Sequence, residues 1–66
     1  MNTPKLPDVH VQLTGQDGNA FVILGRVAVA MRRAGYGAQV NTFMNEAMAG
    51  DYDHLLRTVT AWVEVS

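Results

Sequence analysis

The chain contains no cysteine, so disulfides, thiolate nucleophiles and cysteine-ligated zinc are excluded as sources of stability or chemistry. Charge is scarce as well. Only 17% of the 66 residues are charged, and five Lys and Arg stand against six Asp and Glu. A net charge of −1 supplies neither a basic arm for nucleic acid nor an acidic surface that imitates one. No apolar run approaches the roughly 20 residues that cross a bilayer. The opening segment, with Pro4 and Pro7, lacks the apolar stretch of a secretory signal. Serine occurs once, at Ser66, and no G-x-S-x-G motif is present. These absences lead us to expect a cytoplasmic domain that is not an enzyme, carries no cofactor or metal and does not touch a membrane.

Hydrophobic residues, by contrast, make up 48% of the chain. That is too many for a disordered tail, and the length allows one small core. Met1–Asp8 reads as a flexible lead-in and residues 9–66 as a single α+β domain. Val9, Val11 and Leu13 alternate with His10, Gln12 and Thr14, the period of a half-buried strand over Val9–Thr14, and Gly15 ends it. Neither Lys nor Pro lies inside that span to blunt its edge.

Gly15–Asn19 is dense in turn formers. Asp17 or Asn19 caps a first helix predicted over Ala20–Ala34, with Gly35 as its left-handed C-terminal residue and Arg32 and Arg33 in the last turn. A second helix is predicted over Ala38–Ala49 on the stripe Val40, Phe43, Met44, Ala47 and Met48. Gly50 ends it, and Asp51 or Asp53 starts a third. There Tyr52, Leu55, Leu56, Val59, Trp62 and Val63 form the apolar face, while His54, Arg57 and Thr58 point elsewhere. Asp53 and Arg57 are spaced for a helical ion pair. The last residues return to alternation, so helix and strand patterns contest Trp62 and Val63, and a short C-terminal strand is expected.

The first helix is apolar nearly all round. Ala20, Leu24, Val27, Met31 and Ala34 suffice for a core, yet Phe21, Val22, Val29 and Ala30 extend the apolar surface beyond it. A chain of this size has little with which to surround such a helix, which favours self-association. Gly25 in its middle is expected at a close helix–helix or chain–chain contact. Phe21, Val22, Val29, Tyr52 and Trp62 are the candidate interaction surface.

Chemistry-bearing patterns are sparse. A strand-to-helix junction at Asp17, Gly18 and Asn19 offers backbone N–H groups to an anion, with Arg26 adding charge. The glycine spacing fits no phosphate-binding fingerprint, and helix capping explains Asp17 and Asn19 more simply. Asp51, Asp53 and His54, with His10, lack the spacing of a metal site, and His54 reads as a solvated residue. The second and third helices are arranged like a helix-turn-helix, but the N-terminal residues of the third, Asp51 and Asp53, would repel phosphates.

The run Gly15-Gln16-Asp17-Gly18-Asn19-Ala20-Phe21-Val22-Ile23-Leu24-Gly25-Arg26 resembles small hypothetical proteins of bacterial and phage genomes. So does Glu46-Ala47-Met48-Ala49-Gly50-Asp51-Tyr52-Asp53-His54-Leu55-Leu56. The resemblance implies no activity, cofactor or site residue. It implies an accessory role on a mobile element, which for a small chain means binding a host or phage component. The expected function is thus a homo-oligomeric protein-interaction module. The alternatives are a binder of a small anionic or nucleotide-like ligand at Asp17–Asn19, and a dimeric DNA-binding regulator.

Overall fold

Strand β1 (Leu6–Val11) begins three residues earlier than the alternation predicts. The lead-in is therefore shorter than Met1–Asp8, and Pro7 lies inside the strand. Leu6, Val9 and Val11 are all buried, so the inward positions are first three and then two apart. The reason is in the pairing. In the computed structural model, which describes residues 3–13 and 19–65, β1 pairs in parallel with β2 (Val63–Val65). Leu6 faces Val63, yet His10 faces the very next residue, Glu64. The extra residues of β1 bulge around Pro7, which has no N–H to offer a ladder. Pairing continues outward where the Lys5 N–H donates to the Ala61 carbonyl at 2.9 Å.

Between the strands run α1 (Ala20–Arg33), a 3₁₀ turn at Gly37–Gln39, α2 (Val40–Ala47) and α3 (Tyr52–Trp62). The fold is α+β: a short N-terminal strand, three helices and a short C-terminal strand. Asn19 caps α1, its Oδ1 accepting the Phe21 and Val22 N–H groups at 2.9 and 3.3 Å. At the other end Gly35 adopts φ +93°. There the Tyr36 and Gly35 N–H groups donate back to the Met31 and Arg32 carbonyls, closing a Schellman turn. Asp51 caps α3 by accepting the His54 N–H at 2.9 Å. Helix α2 is shorter than its predicted Ala38–Ala49, because Gly37–Gln39 winds as the tighter 3₁₀ turn and Met48 and Ala49 form a turn.

Val27, Met31, Phe43, Ala47 and Val59 are completely buried, with Val9, Val63 and Trp62 nearly so. The Phe43 and Trp62 rings meet edge to face at 5.7 Å. Two polar residues depart from expectation. Thr58 is buried, its hydroxyl donating to the His54 carbonyl at 2.8 Å, so a polar side chain sits satisfied on the inward face. His54 is half-buried, its Nε2 donating to the Glu46 carbonyl at 2.8 Å. Gly50 permits this approach. A Cβ there would lie 2.8 Å from Cγ of the His54 ring. Asp53 and Arg57 are not within ion-pairing distance, the ion pair among the described residues being Lys5 with Glu46 at 3.8 Å.

Candidate functional site

The candidate surface residues separate into three environments. Trp62 belongs to the core: it is 3% exposed, and its Nε1 donates to Oε1 of Glu46 at 3.2 Å. The Lys5 ammonium sits 4.5 Å from the ring centroid and also pairs with Glu46. Its indole is thus sealed by the chain's own lysine, and offering it to a partner would require unfolding that corner.

Phe21 stands at the opposite extreme, 78% exposed. It lies beside Met48 and Tyr52, 57% and 39% exposed, around a groove of about 250 Å³ between the start of α1 and the α2–α3 turn. Leu24, Ala47 and Leu55 also line it, so this groove opens directly onto core residues. Met48 is not one of the candidate surface residues of the sequence. Its stripe placed it inward, but α2 ends at Ala47 and the following turn swings Met48 out.

Val22 and Val29 occupy a third environment. They are 41% and 44% exposed on the outward side of α1, two turns apart, where Arg26 and Arg33 repeat at the same spacing. The outer face of α1 is therefore a mixed stripe of valine and arginine rather than a continuous apolar one. Gly25 lies on this exposed side, and a Cβ built on it would meet nothing within 4 Å. Among the described residues the expected close helix–helix contact at Gly25 does not form.

Asp17 and Gly18 lie outside the described residues. Asn19 is described, and its side chain already occupies the Phe21 and Val22 N–H groups that an anion would use. Arg26 stands two turns further along, about 10 Å down the helix axis from Asn19, and lines a different feature. That feature is an open groove of about 740 Å³ between α1 and β1, lined from α1 by Gly25, Arg26, Val29 and Arg33, from β1 by Asp8 through Val11, and by Gln12 just after the strand. At one end Asp8 accepts the Tyr36 hydroxyl on both oxygens, each at 2.9 Å. The carboxylate stabilises the protonated phenol, raising the Tyr36 pKa above its usual 10.0.

Among the described residues no three His, Asp or Glu side chains cluster closely enough to hold a metal ion. No helix among them is long and apolar enough to cross a membrane. At the start of α3, Asp51, Tyr52 and Asp53 are all exposed, so the surface a recognition helix would present is acidic. The chain matches no family model, no curated protein and no solved structure. The function must therefore be read from the surfaces themselves.

Proposed function

We propose that this protein is a non-enzymatic interaction module that self-associates through the apolar patch of Phe21, Met48 and Tyr52. The observation that carries this reading is the exposure of Phe21, 78%, immediately beside Met48 and Tyr52 and over a groove floored by core residues. Fully burying one such side chain is worth about 1.5–3 kcal/mol. A small domain has few other ways to gain that energy. Clustered large apolar side chains on a soluble domain mark protein contacts. A two-fold dimer would use the patch twice, each Phe21 entering the other copy's groove.

The lack of cysteine and the near-neutral charge suit action in the cytoplasm. The likeness of the Gly15–Arg26 and Glu46–Leu56 segments to small phage and bacterial proteins supports an accessory role on a mobile element. In that role the dimer would present its remaining surface to a host or phage protein.

Sedimentation at micromolar concentration tests the self-association. A dimer or larger species is expected, and Phe21→Lys or Met48→Lys should dissociate it without changing the helical circular dichroism, because both side chains are exposed. A Val22→Lys, Val29→Lys double variant should leave the dimer intact, since those residues lie on a different side of α1. A wild-type chain still monomeric at about 1 mM would defeat the proposal, as only contacts weaker than about −4 kcal/mol escape detection there.

A further inference from the structure

The groove beside β1 is bordered by four consecutive strand residues, Asp8 to Val11, and by Gln12 just beyond them. Side chains alternate between the two faces of a strand, so a cavity touching every residue in turn runs along the strand's edge and not over one face. The other edge of β1 is taken by β2, and the described sheet has two strands. The groove therefore follows an open edge, with backbone donors and acceptors that no strand among the described residues satisfies.

The far wall of the groove supplies charge. Arg26 and Arg33 line it from α1, and among the described residues neither has a carboxylate within ion-pairing distance. They are two of the chain's five cations. The carboxylate among the lining residues is Asp8, which the Tyr36 hydroxyl already engages. His10 is the remaining titratable lining residue, and Val29 and Ala30 give the wall an apolar floor between the guanidinium groups.

We propose that this groove receives an extended, acidic peptide segment of another protein, which joins the edge of β1 as a third strand and sets its Asp or Glu carboxylates against Arg26 and Arg33. Five edge residues span about 16 Å, room for a segment of similar length. Positions on one face of that segment recur about every 7 Å. Arg26 and Arg33 lie about 10 Å apart along the helix axis. Acids two or four residues apart therefore fall within reach of the two long side chains. Main-chain hydrogen bonds to the edge supply affinity and the arginines supply selection, the division of labour in strand addition. Guanidinium–carboxylate pairs are charge-assisted and can be bidentate, so they add geometric selection to the main-chain bonds.

Fluorescence anisotropy with a labelled, blocked peptide of alternating threonine and glutamate, about eight residues long, tests the site on the full chain. Saturable binding is expected. It should weaken at least about tenfold in the Arg26→Ala, Arg33→Ala double variant, and equally when glutamine replaces glutamate in the peptide. Methylating alternate peptide nitrogens should abolish binding with every acid retained, and amide shifts should map to Val9 through Gln12. Both arginines are exposed, so the double variant should melt as the wild type does. Unchanged affinity in that variant, or no binding to the wild type, overturns the proposal. Equal binding of the methylated peptide, or competition by free glutamate at the peptide's own concentration, would assign the groove to small carboxylates instead. Loss of self-association in the double variant would make a second copy the occupant. The proposal survives a monomeric wild type, so its failure and that of the Phe21 patch are separate results.

Discussion

Lys5, Glu46 and His54, on the flank of the molecule around Trp62, all find partners within the chain, whereas Arg26 and Arg33, beside β1, find none among the described residues. The Trp62 flank joins three remote pieces of the sequence: the residue before β1, the end of α2 and the body of α3. Its polar atoms close the corner over an aromatic pair. The β1 flank engages Asp8 with Tyr36, yet among the described residues it leaves Arg26 and Arg33 without a carboxylate and one strand edge open. Closed polar groups hold a fold together, and unmatched ones are free to recognise something else. The contrast says which surface is architecture and which is available.

Truncating Trp62 should have the largest effect. Trp62→Ala removes the edge-to-face contact with Phe43 and the indole under Lys5, at a cost of about 3–5 kcal/mol. A domain this small has little more than that to lose. Thermal unfolding followed by circular dichroism should show a lost or severely lowered transition. A variant that keeps its melting temperature would dissolve the distinction between the two flanks.

The two glycines beside these regions should respond in opposite directions. Gly50→Ala pushes a methyl group against the His54 ring and should cost about 1–3 kcal/mol. The same change in a His54→Ala background should be nearly free, a coupling that a double-mutant cycle measures. Gly25→Ala, on the exposed side of α1, should gain about 0.5–1 kcal/mol by reducing the freedom of the unfolded chain. That gain would raise the melting temperature by several degrees. A loss at Gly25 would show that this side of α1 is covered in solution.

Lys5→Ala should cost no more than about 1 kcal/mol, because the ammonium and the Glu46 carboxylate are both about half exposed and screened by water. Part of any loss is packing of the lysine stem over the indole.

The smallest effect is a titration. Tyr36 should lose its proton above the usual 10.0, and Asp8→Asn should return it towards that value in an absorbance titration at 295 nm. A phenol whose folded pKa is raised contributes its stabilisation fully below the unfolded value. That contribution disappears as pH climbs through the folded pKa. Alkaline pH should therefore loosen the Asp8 end of the groove.

The helices were legible because their signals are local. Asn19 caps α1 through its side-chain oxygen and Gly35, without a Cβ, ends it at positive φ, Asp51 rather than Asp53 caps α3, and Val40, Phe43 and Ala47 bury the face their spacing marks. Long-range features were not legible. Nothing near Pro7 announces that it lies in a strand, because the bulge exists only to match β2, far along the chain. Lys5 reads as part of a lead-in until Trp62 is placed beneath it. Thr58 was assigned outward by its polarity, but a hydroxyl that can donate to the carbonyl one turn back is tolerated inside. Of the candidate surfaces, Phe21 and Tyr52 were visible as apolar excess. The groove beside β1 was not, since the repeat of Arg26 and Arg33 becomes a wall only when a strand edge lies opposite.

Leu6 and Val63 are partners in the sheet although about 57 residues separate them, and closing a loop of that length costs roughly 3.6 kcal/mol of chain entropy beyond a constant. The helices make most of their contacts with near neighbours, so they can assemble before that cost is met. Strand pairing thus carries a long loop closure, and the sheet ties the start of the described fold to its end. Among the described residues β2 is the backbone partner of β1, so a strand docking at the free edge would meet a β1 held in place by Val63–Val65.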